Sequence, residues 1–164
     1  MLATKMIKDS GNRSEFNSGA VRDIQAGKGR CDLLPLVEVG LVAIDEILGY
    51  IGEFVECGDE EWIKRAIKEF VDKAFGDLPT ALIEVSIHYE EGAQKYSDRN
   101  WEKGIPLHCF VNSGVRHYLK YMRGDEDERH DRAFLWNMFG LLWTLRNFPE
   151  LNDLPCASEI KLDE

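Results

Sequence analysis

The chain has 164 residues, of which 44% are hydrophobic, and its formal net charge at pH 7 is −10. This length predicts one domain that can bury a core without disulfides or structural metals. The acidic balance argues against a nucleic-acid-binding protein, because such proteins carry a basic patch. A nucleotide substrate is compatible with it, since carboxylates that hold a divalent metal ion turn an acidic cleft into a phosphate site.

The N-terminal sequence, the apolar stretches and the cysteines indicate the cellular compartment. The first residues, MLATKMIKDSGNRSEF, lack the apolar stretch of a signal peptide. The longest apolar-rich stretch, 33–55, is interrupted by acidic residues and is not suited to span a membrane. The four cysteines show neither CxxC nor zinc-ligand spacing, which predicts free thiols. We therefore expect a cytoplasmic protein with no membrane partner.

The first half of the chain is predicted to be an arm followed by helices. Residues 1–35 are polar and glycine-rich with no period, which predicts an irregular, extended N-terminal arm that carries a GKGR loop. A 3.6-residue apolar period then predicts one helix over 36–55. Asp59 is expected to cap a second helix, and Thr80 a third that runs to about Tyr96.

The second half is predicted to add two further helices. Apolar spacing marks a fourth helix over 107–122 and a fifth over about 128–147, and the tail 148–164 is expected to be irregular. No stretch alternates as a strand does. The sequence therefore predicts an all-α bundle of about five helices within 36–147.

All four histidines fall between His88 and His130, where polar residues stand in helical register. On the third helix, Glu84, His88, Glu91 and Lys95 share one face. A histidine between two carboxylates is an arrangement that binds a divalent cation in a helical bundle. The alternative is a solvated face stabilised by salt bridges along the helix.

The fifth helix offers a second polar face. Asp127, His130 and Asn137 share it, and Asp131 follows His130 to give an HD dipeptide. A two-residue motif is weakly specific. The acids at 125–128 are also explained as favourable charges near a helix N-terminus, although His130 is not.

Two groups of cations are candidates for phosphate binding. On the fourth helix, His117 lies beside Arg116, and arginine forms bidentate bonds to phosphate oxygens. In the arm, Lys28 and Arg30 flank a flexible glycine, and Arg22 lies nearby. The alternatives are salt bridges to the acids at 125–128 for the first group and a solvated turn for the second.

A second acidic pattern stands apart from the histidines. Its members lie on the first and second predicted helices, and they are Glu53, Glu56, Glu69 and Asp72. Two acidic helices that face each other can hold Mg²⁺. The same acids are more readily explained as the outer faces of amphipathic helices.

Three blocks of the sequence carry a resemblance to a known family. They are SGAVRDIQAGKGRCDLLP, EGAQKYSDRNWEKGIPL and SGVRHYLKYMRGDEDERHDRAFLWN. The chain resembles the phage- and prophage-associated dATP/dGTP diphosphohydrolase-like proteins, which are similar in character to all-α MazG-type nucleotide pyrophosphohydrolases. The MazG-type acidic signature begins with a doubled glutamate, whereas Gly52 stands before Glu53 here.

The resemblance implies hydrolysis of a purine (deoxy)nucleoside triphosphate to the monophosphate and pyrophosphate, with Mg²⁺ or Mn²⁺. The family-like positions that it implies are Lys28, Arg30, Asp32, Glu91, Lys95, Tyr96, Arg99, Asn100, Trp101, Lys103, Arg116, His117, Asp127, His130 and Asn137. It also implies a homo-oligomer, for which the apolar stretch 37–55 would supply the interface.

The leading hypothesis joins these residues into a metal-dependent site. The residues expected to bind one or two metal ions and to carry the catalysis are His88, Glu91, His130 and Asp131, with Asp127 as a further ligand. Arg116, Lys95 and Lys28 would neutralise the leaving pyrophosphate. The base would stack on Trp101 or Tyr96 and be recognised by Asn100 or Asn137, although Trp101 is equally expected to fix its loop to the core.

Two other functions stay open. The HD dipeptide suggests an HD-type phosphohydrolase, which would release tripolyphosphate and a nucleoside. A non-catalytic phage protein that sequesters nucleotides would use the same cations and aromatic residues without a metal. Analysis of the reaction products distinguishes these two functions from nucleotide pyrophosphohydrolysis.

Overall fold

The computed structural model describes residues 6–160, with side chains up to residue 158, and this part of the chain is built from α-helices and one small sheet. The helices are α1 (Leu36–Ala43), α2 (Glu46–Cys57), α3 (Glu60–Ala74), α4 (Leu78–Lys95), α5 (Leu107–Arg123), α6 (His130–Asn147) and α7 (Cys156–Ile160). The all-α class is therefore confirmed. The expectation about a signal peptide rests partly on residues 1–5, which lie outside the described residues.

Aspartates begin three of these helices. The Asp45 side chain accepts a hydrogen bond from the backbone amide of Leu48, and Asp59 accepts one from Glu61. The predicted cap at Asp59 is confirmed. The predicted cap at Thr80 is wrong, because Asp77 caps α4 instead and proline is well tolerated in the first turn that follows it.

The single helix predicted over 36–55 is wrong, since the chain breaks between α1 and α2. Ile44 adopts a left-handed backbone with φ of 52° and ends α1. The two helices then pack closely through glycines. A Cβ atom on Gly40 would lie 2.7 Å from the backbone nitrogen of Gly49, and one on Gly52 would lie 2.5 Å from that of Val37. The apolar period continues through the break, so periodicity does not reveal it.

The centre of the core lies where α5 and α6 pack along each other, with α3 and α4 against α6. Buried aromatic rings join three of these helices: the ring centroid of Phe70 is 4.4 Å from that of Phe134 and 5.9 Å from that of Tyr118. The Tyr118 hydroxyl donates to Asp45 Oδ2 and so ties the junction of α1 and α2 to α5.

The N-terminal arm forms a hairpin, although no strand is predicted from the sequence. Strand β1 (Arg13–Glu15) pairs antiparallel with β2 (Val21–Asp23). Strands of three residues are too short to show an alternating pattern. The tail, which is expected from the sequence to be irregular, contains the short helix α7. The division of the chain at residues 35 and 147 stays a prediction.

Among the described residues, no helix combines the length and the apolar character that crossing a membrane requires.

Candidate functional site

A cavity of about 350 Å³ lies between the hairpin, α4, α5 and α6. This size falls in the range of small-molecule sites. Many residues predicted from the sequence line it, and they are Lys28, His88, Lys95, Tyr96, Arg99, Asn100, Trp101, Arg116, His117 and Asn137. The fold therefore brings together side chains from the arm and from three separate helices.

The wall of this cavity is positively charged, although the chain as a whole carries a net charge of −10. Its basic side chains are Lys8, Arg22, Lys28, Lys95, Arg99, Arg116 and Lys120. The acidic residues of the wall are Asp23 and Glu128. An excess of cations in a partly enclosed cavity concentrates an anionic ligand there.

Aromatic rings form another part of the wall. The centroid of Tyr89 is 5.8 Å from that of Trp101 and 6.2 Å from that of Trp136. Trp101 also meets Trp143 edge-on at 5.0 Å, which anchors the loop after α4 to the helical core. Trp101 can therefore fix its loop to the core and also contact a base, because the aromatic part of the wall offers a surface to a planar ligand.

His88 is neutral at physiological pH. Burial, followed by the charges of Arg132 and Arg22, lowers the pKa of His88 to about 3. Its ring lies 6.0 Å from that of Trp136 in the cavity wall. A neutral imidazole can act as a hydrogen-bonding group or as a metal ligand.

The half-buried His117, which lines the cavity, pairs with the buried His130. Their Nδ1 atoms are 2.9 Å apart, and His130 Nε2 lies 2.7 Å from Asp127 Oδ1. Burial and the neighbouring His130 hold the pKa of His117 well below its usual 6.5, so His117 is neutral. Because a carboxylate only accepts, Asp127 accepts a hydrogen bond from His130 Nε2, and the Nδ1 atom of His130 faces that of His117.

His130 belongs to two groups of side chains that could share a metal ion, and His117 belongs to one of them. In the first, ligand atoms of His117, Glu128 and His130 lie within 4.8 Å of one another. In the second, the same holds for Asp125, Asp127 and His130. Neutral imidazoles and carboxylates are suitable ligands for divalent transition-metal ions such as Mn²⁺.

The predicted set of metal ligands is divided by the structure. Asp127 and His130 are together, but the Asp131 carboxylate accepts from Arg129 at 2.8 and 3.0 Å. Glu91 accepts from the backbone amide of Ile7 at 3.1 Å. His88, Glu91 and Asp131 therefore belong to neither of the two groups found among the described side chains.

The second acidic pattern does not converge on a point. Glu56, Glu69 and Asp72 are exposed, and Glu53 is half-buried. Within residues 6–158, these acids form no group that could share an ion. They lie on α2 and α3 as outward-facing charges.

Two of the basic residues among the family-like positions lie outside the cavity wall. Arg30 donates to both carboxylate oxygens of Asp32, at 2.7 and 2.6 Å. Lys103 is exposed on the short turn after α4.

Arg116 holds the GKGR loop against the cavity. Its guanidinium donates to Gln25 Oε1 at 3.1 Å and to the carbonyl oxygens of Lys28 and Gly29 at 3.2 and 2.9 Å. Gly29 has φ of 87°, a conformation that favours glycine. Lys28 Nζ is paired with Asp23 at 3.1 Å. The loop is thus a fixed part of the wall.

The loop after α4 holds strand β2 in place. The side-chain amide of Asn100 accepts from the backbone amide of Val21 at 2.9 Å and donates to its carbonyl at 2.8 Å. The Tyr96 hydroxyl accepts from the amide of Asp23 at 2.8 Å. These bonds flank Arg22, whose guanidinium donates to Asn137 Oδ1 at 3.1 Å.

Glu128 and Trp136 line the cavity but are not among the predicted site residues, and Arg22 is predicted only as a cation near the GKGR loop. In the sequence, Arg22 stands only as one cation of an arm, Glu128 as one of several acids, and Trp136 as one aromatic residue of a core helix. No spacing relative to the histidines marks them, because the hairpin and the packing of α6 create the contact.

The model of one protein family, dATP/dGTP diphosphohydrolase, N-terminal, matches residues 66–154, which is more than half of the chain. No curated protein and no solved structure matches the chain. The matched range contains α4, α5 and α6 and therefore most of the cavity wall, whereas the hairpin lies before it. The chain therefore belongs to the dATP/dGTP diphosphohydrolase N-terminal family.

Proposed function

We propose that the protein hydrolyses purine deoxynucleoside triphosphates to the monophosphate and pyrophosphate in a metal-dependent reaction. The observation that carries this proposal is a cation-rich cavity that shares His117 with a group of potential metal ligands. Membership of the dATP/dGTP diphosphohydrolase family supports the same substrate class.

The metal is proposed to be Mg²⁺ or Mn²⁺, held by His117, Glu128 and His130. Asp127 orients His130 through its Nε2 atom, and Asp125 lies close enough to join it. A divalent ion bound there would acidify a water molecule and stabilise charge on phosphate oxygens. The neutral state of His117 favours such binding, since a protonated imidazole cannot act as a ligand.

The nucleotide is proposed to lie along the cavity. Lys95 and Arg116 would neutralise the charge that develops on the leaving pyrophosphate. The aromatic surface formed by Tyr89, Trp101 and Trp136 would contact the base. We assign Asn100 to positioning rather than to reading the base, because both groups of its amide are bonded to Val21.

Product analysis tests this proposal. The purified chain is incubated with each dNTP and NTP plus Mg²⁺ or Mn²⁺, with and without EDTA, and the products are separated by anion-exchange chromatography. We expect purine deoxynucleoside monophosphate and pyrophosphate in equal amounts, and no product with EDTA. Nucleoside plus tripolyphosphate would instead identify an HD-type reaction, against which the pairing of Asp131 with Arg129 speaks. Nucleotide binding that yields no product and ignores EDTA would identify a sequestering protein.

We also propose that the protein is a homo-oligomer of the cytoplasm, where nucleoside triphosphates occur. The break after α1 changes which residues of the interface predicted over 37–55 are exposed. Leu48 and Ile51 of α2 face the core and are not available to a second copy. Leu41, Val42 and Ile44 stay 74%, 87% and 92% exposed.

Contacts between copies would cover this apolar surface. Light scattering is expected to show an oligomer for the wild type and a smaller species for Val42→Glu. A wild-type monomer at micromolar concentration would contradict the proposal.

A further inference from the structure

Arg22 is a buried arginine at the centre of the cavity-facing strand. It is the middle residue of β2, it is 9% exposed, and it lines the cavity. Its guanidinium lies 5.3 Å from the ring centroid of Trp136 and 5.7 Å from that of Phe110. These rings stack favourably with the guanidinium but do not neutralise its charge.

Among the residues that the structure describes, the charge of Arg22 has no counter-ion. Nη2 donates to the neutral Asn137 side chain. Within the same part of the chain, Nη1 has no hydrogen-bond partner and no carboxylate lies within ion-pairing distance. Burial lowers its pKa, and the nearby Arg116 lowers it further. An uncompensated buried charge is costly, so this arrangement indicates an anionic partner that enters the cavity.

Arg132 provides the contrast. It is also buried, at 5% exposure, and its Nη1 atom also lacks a partner within residues 6–158. Its Nε and Nη2 atoms, however, donate to Glu84 Oε2 at 2.9 and 2.6 Å, and it does not line the cavity. A carboxylate of the fold thus neutralises this buried arginine, which lies outside the cavity.

The surroundings of Arg22 fix its position. Asn100 holds the residue before it and Tyr96 the residue after it, both through the backbone of β2. Asn137 is itself fixed, because its Nδ2 donates to the carbonyl oxygen of Ala133 at 2.8 Å. A guanidinium that is held by its backbone and by one amide retains donors for a ligand.

We infer that Arg22 is the anion-binding anchor of the cavity and binds a phosphate group of the polyphosphate chain of the substrate. This inference rests on the proposed function for the identity of the substrate, but the anion site itself does not require turnover. It assigns a binding role to the hairpin, which lies outside the part of the chain that matches the family. Arg22 contributes a planar fork that matches phosphate oxygens, beside Arg116.

Titration calorimetry of the full chain with inorganic pyrophosphate in EDTA tests the inference. The wild type is expected to bind, and Arg22→Met is expected to bind roughly 10- to 100-fold more weakly, as the loss of charge-assisted hydrogen bonds implies. Arg22→Lys, which keeps the charge and loses the fork, is expected to fall between them. The ligand-free melting temperature of Arg22→Met is expected to equal or exceed that of the wild type, since a buried unpaired charge is removed.

Arg132→Met is the control for the loss of a buried arginine, and its affinity for pyrophosphate is expected to equal that of the wild type. Arg22→Gln replaces Arg22→Met if the methionine variant does not fold. Unchanged affinity in a folded Arg22→Met or Arg22→Gln variant overturns the inference, and so does a wild type that binds no pyrophosphate. Arg22-dependent binding in a protein that hydrolyses no nucleotide would uphold the anion site and refute the proposed function instead.

Discussion

Replacement of His130 with alanine is expected to lower kcat for nucleotide hydrolysis by at least roughly 100-fold, the scale of losing a metal ligand or an acid–base group. His130 is 2% exposed and belongs to both groups that could share a metal ion. Its removal also leaves His117 and Asp127 without their shared partner. Steady-state kinetics with saturating metal measures the effect, and circular dichroism checks that the helices remain.

His108→Ala is the matched control. His108 is bonded to Asp153, which raises the pKa of His108 to about 10, and it does not line the cavity. Its loss is expected to leave kcat within roughly twofold of the wild type, because neither His108 nor Asp153 lines the cavity or belongs to a group that could share a metal ion. Wild-type turnover in His130→Ala would remove His130 from the proposed site.

Replacement of Gly52 with alanine is expected to destabilise the protein by about 2–4 kcal/mol, at the upper end of overpacking in a core. The added Cβ would lie 2.5 Å from the backbone nitrogen of Val37 and 2.8 Å from the carbonyl carbon of Leu36. These are main-chain atoms of α1, so the two helices must separate to make room. Urea unfolding followed by circular dichroism measures the free energy of unfolding.

Gly49→Ala provides the control in the same helix. A Cβ on Gly49 meets no atom within 4 Å. Alanine is the better helix former, so this change is expected to stabilise the protein by up to about 1 kcal/mol. Equal free energies of unfolding for the two variants would show that α1 and α2 do not pack as described.

The helices were largely predictable because their periodicity and caps are local signals. The break at Ile44 was not, because an exposed isoleucine in a left-handed conformation has no sequence signature and the apolar period runs through it. The close contact of Gly40 and Gly52 with the neighbouring backbone is a tertiary property. The sequence around these two glycines does not distinguish them from glycines that only weaken a helix.

Helical spacing predicts the site only in part. Asp127 and His130, three residues apart, do meet, but Asp127 lies in the bend before α6, which begins at His130. His130 and Asp131 diverge, because adjacent residues on a helix point about 100° apart. Glu91 lies on the predicted face of α4, but its carboxylate accepts a hydrogen bond from the backbone amide of Ile7.

Contacts made by the arm could not be predicted from spacing. Arg22 reaches the cavity only because the hairpin folds back onto the loop after α4, and the positions concerned are about 80 residues apart in the chain. The same contact explains why Tyr96 and Asn100 line the cavity while their polar groups hold the backbone of β2.

A crystal structure of the full chain with Mn²⁺ and a dATP analogue that carries a methylene bridge between the α- and β-phosphates tests the central claim most directly. We expect an anomalous manganese peak between His117, Glu128 and His130, with phosphate oxygens at Arg22 and the base against the aromatic wall. Manganese bound at Glu53, Glu56, Glu69 and Asp72, or an analogue bound outside the cavity, would contradict the assignment of the site.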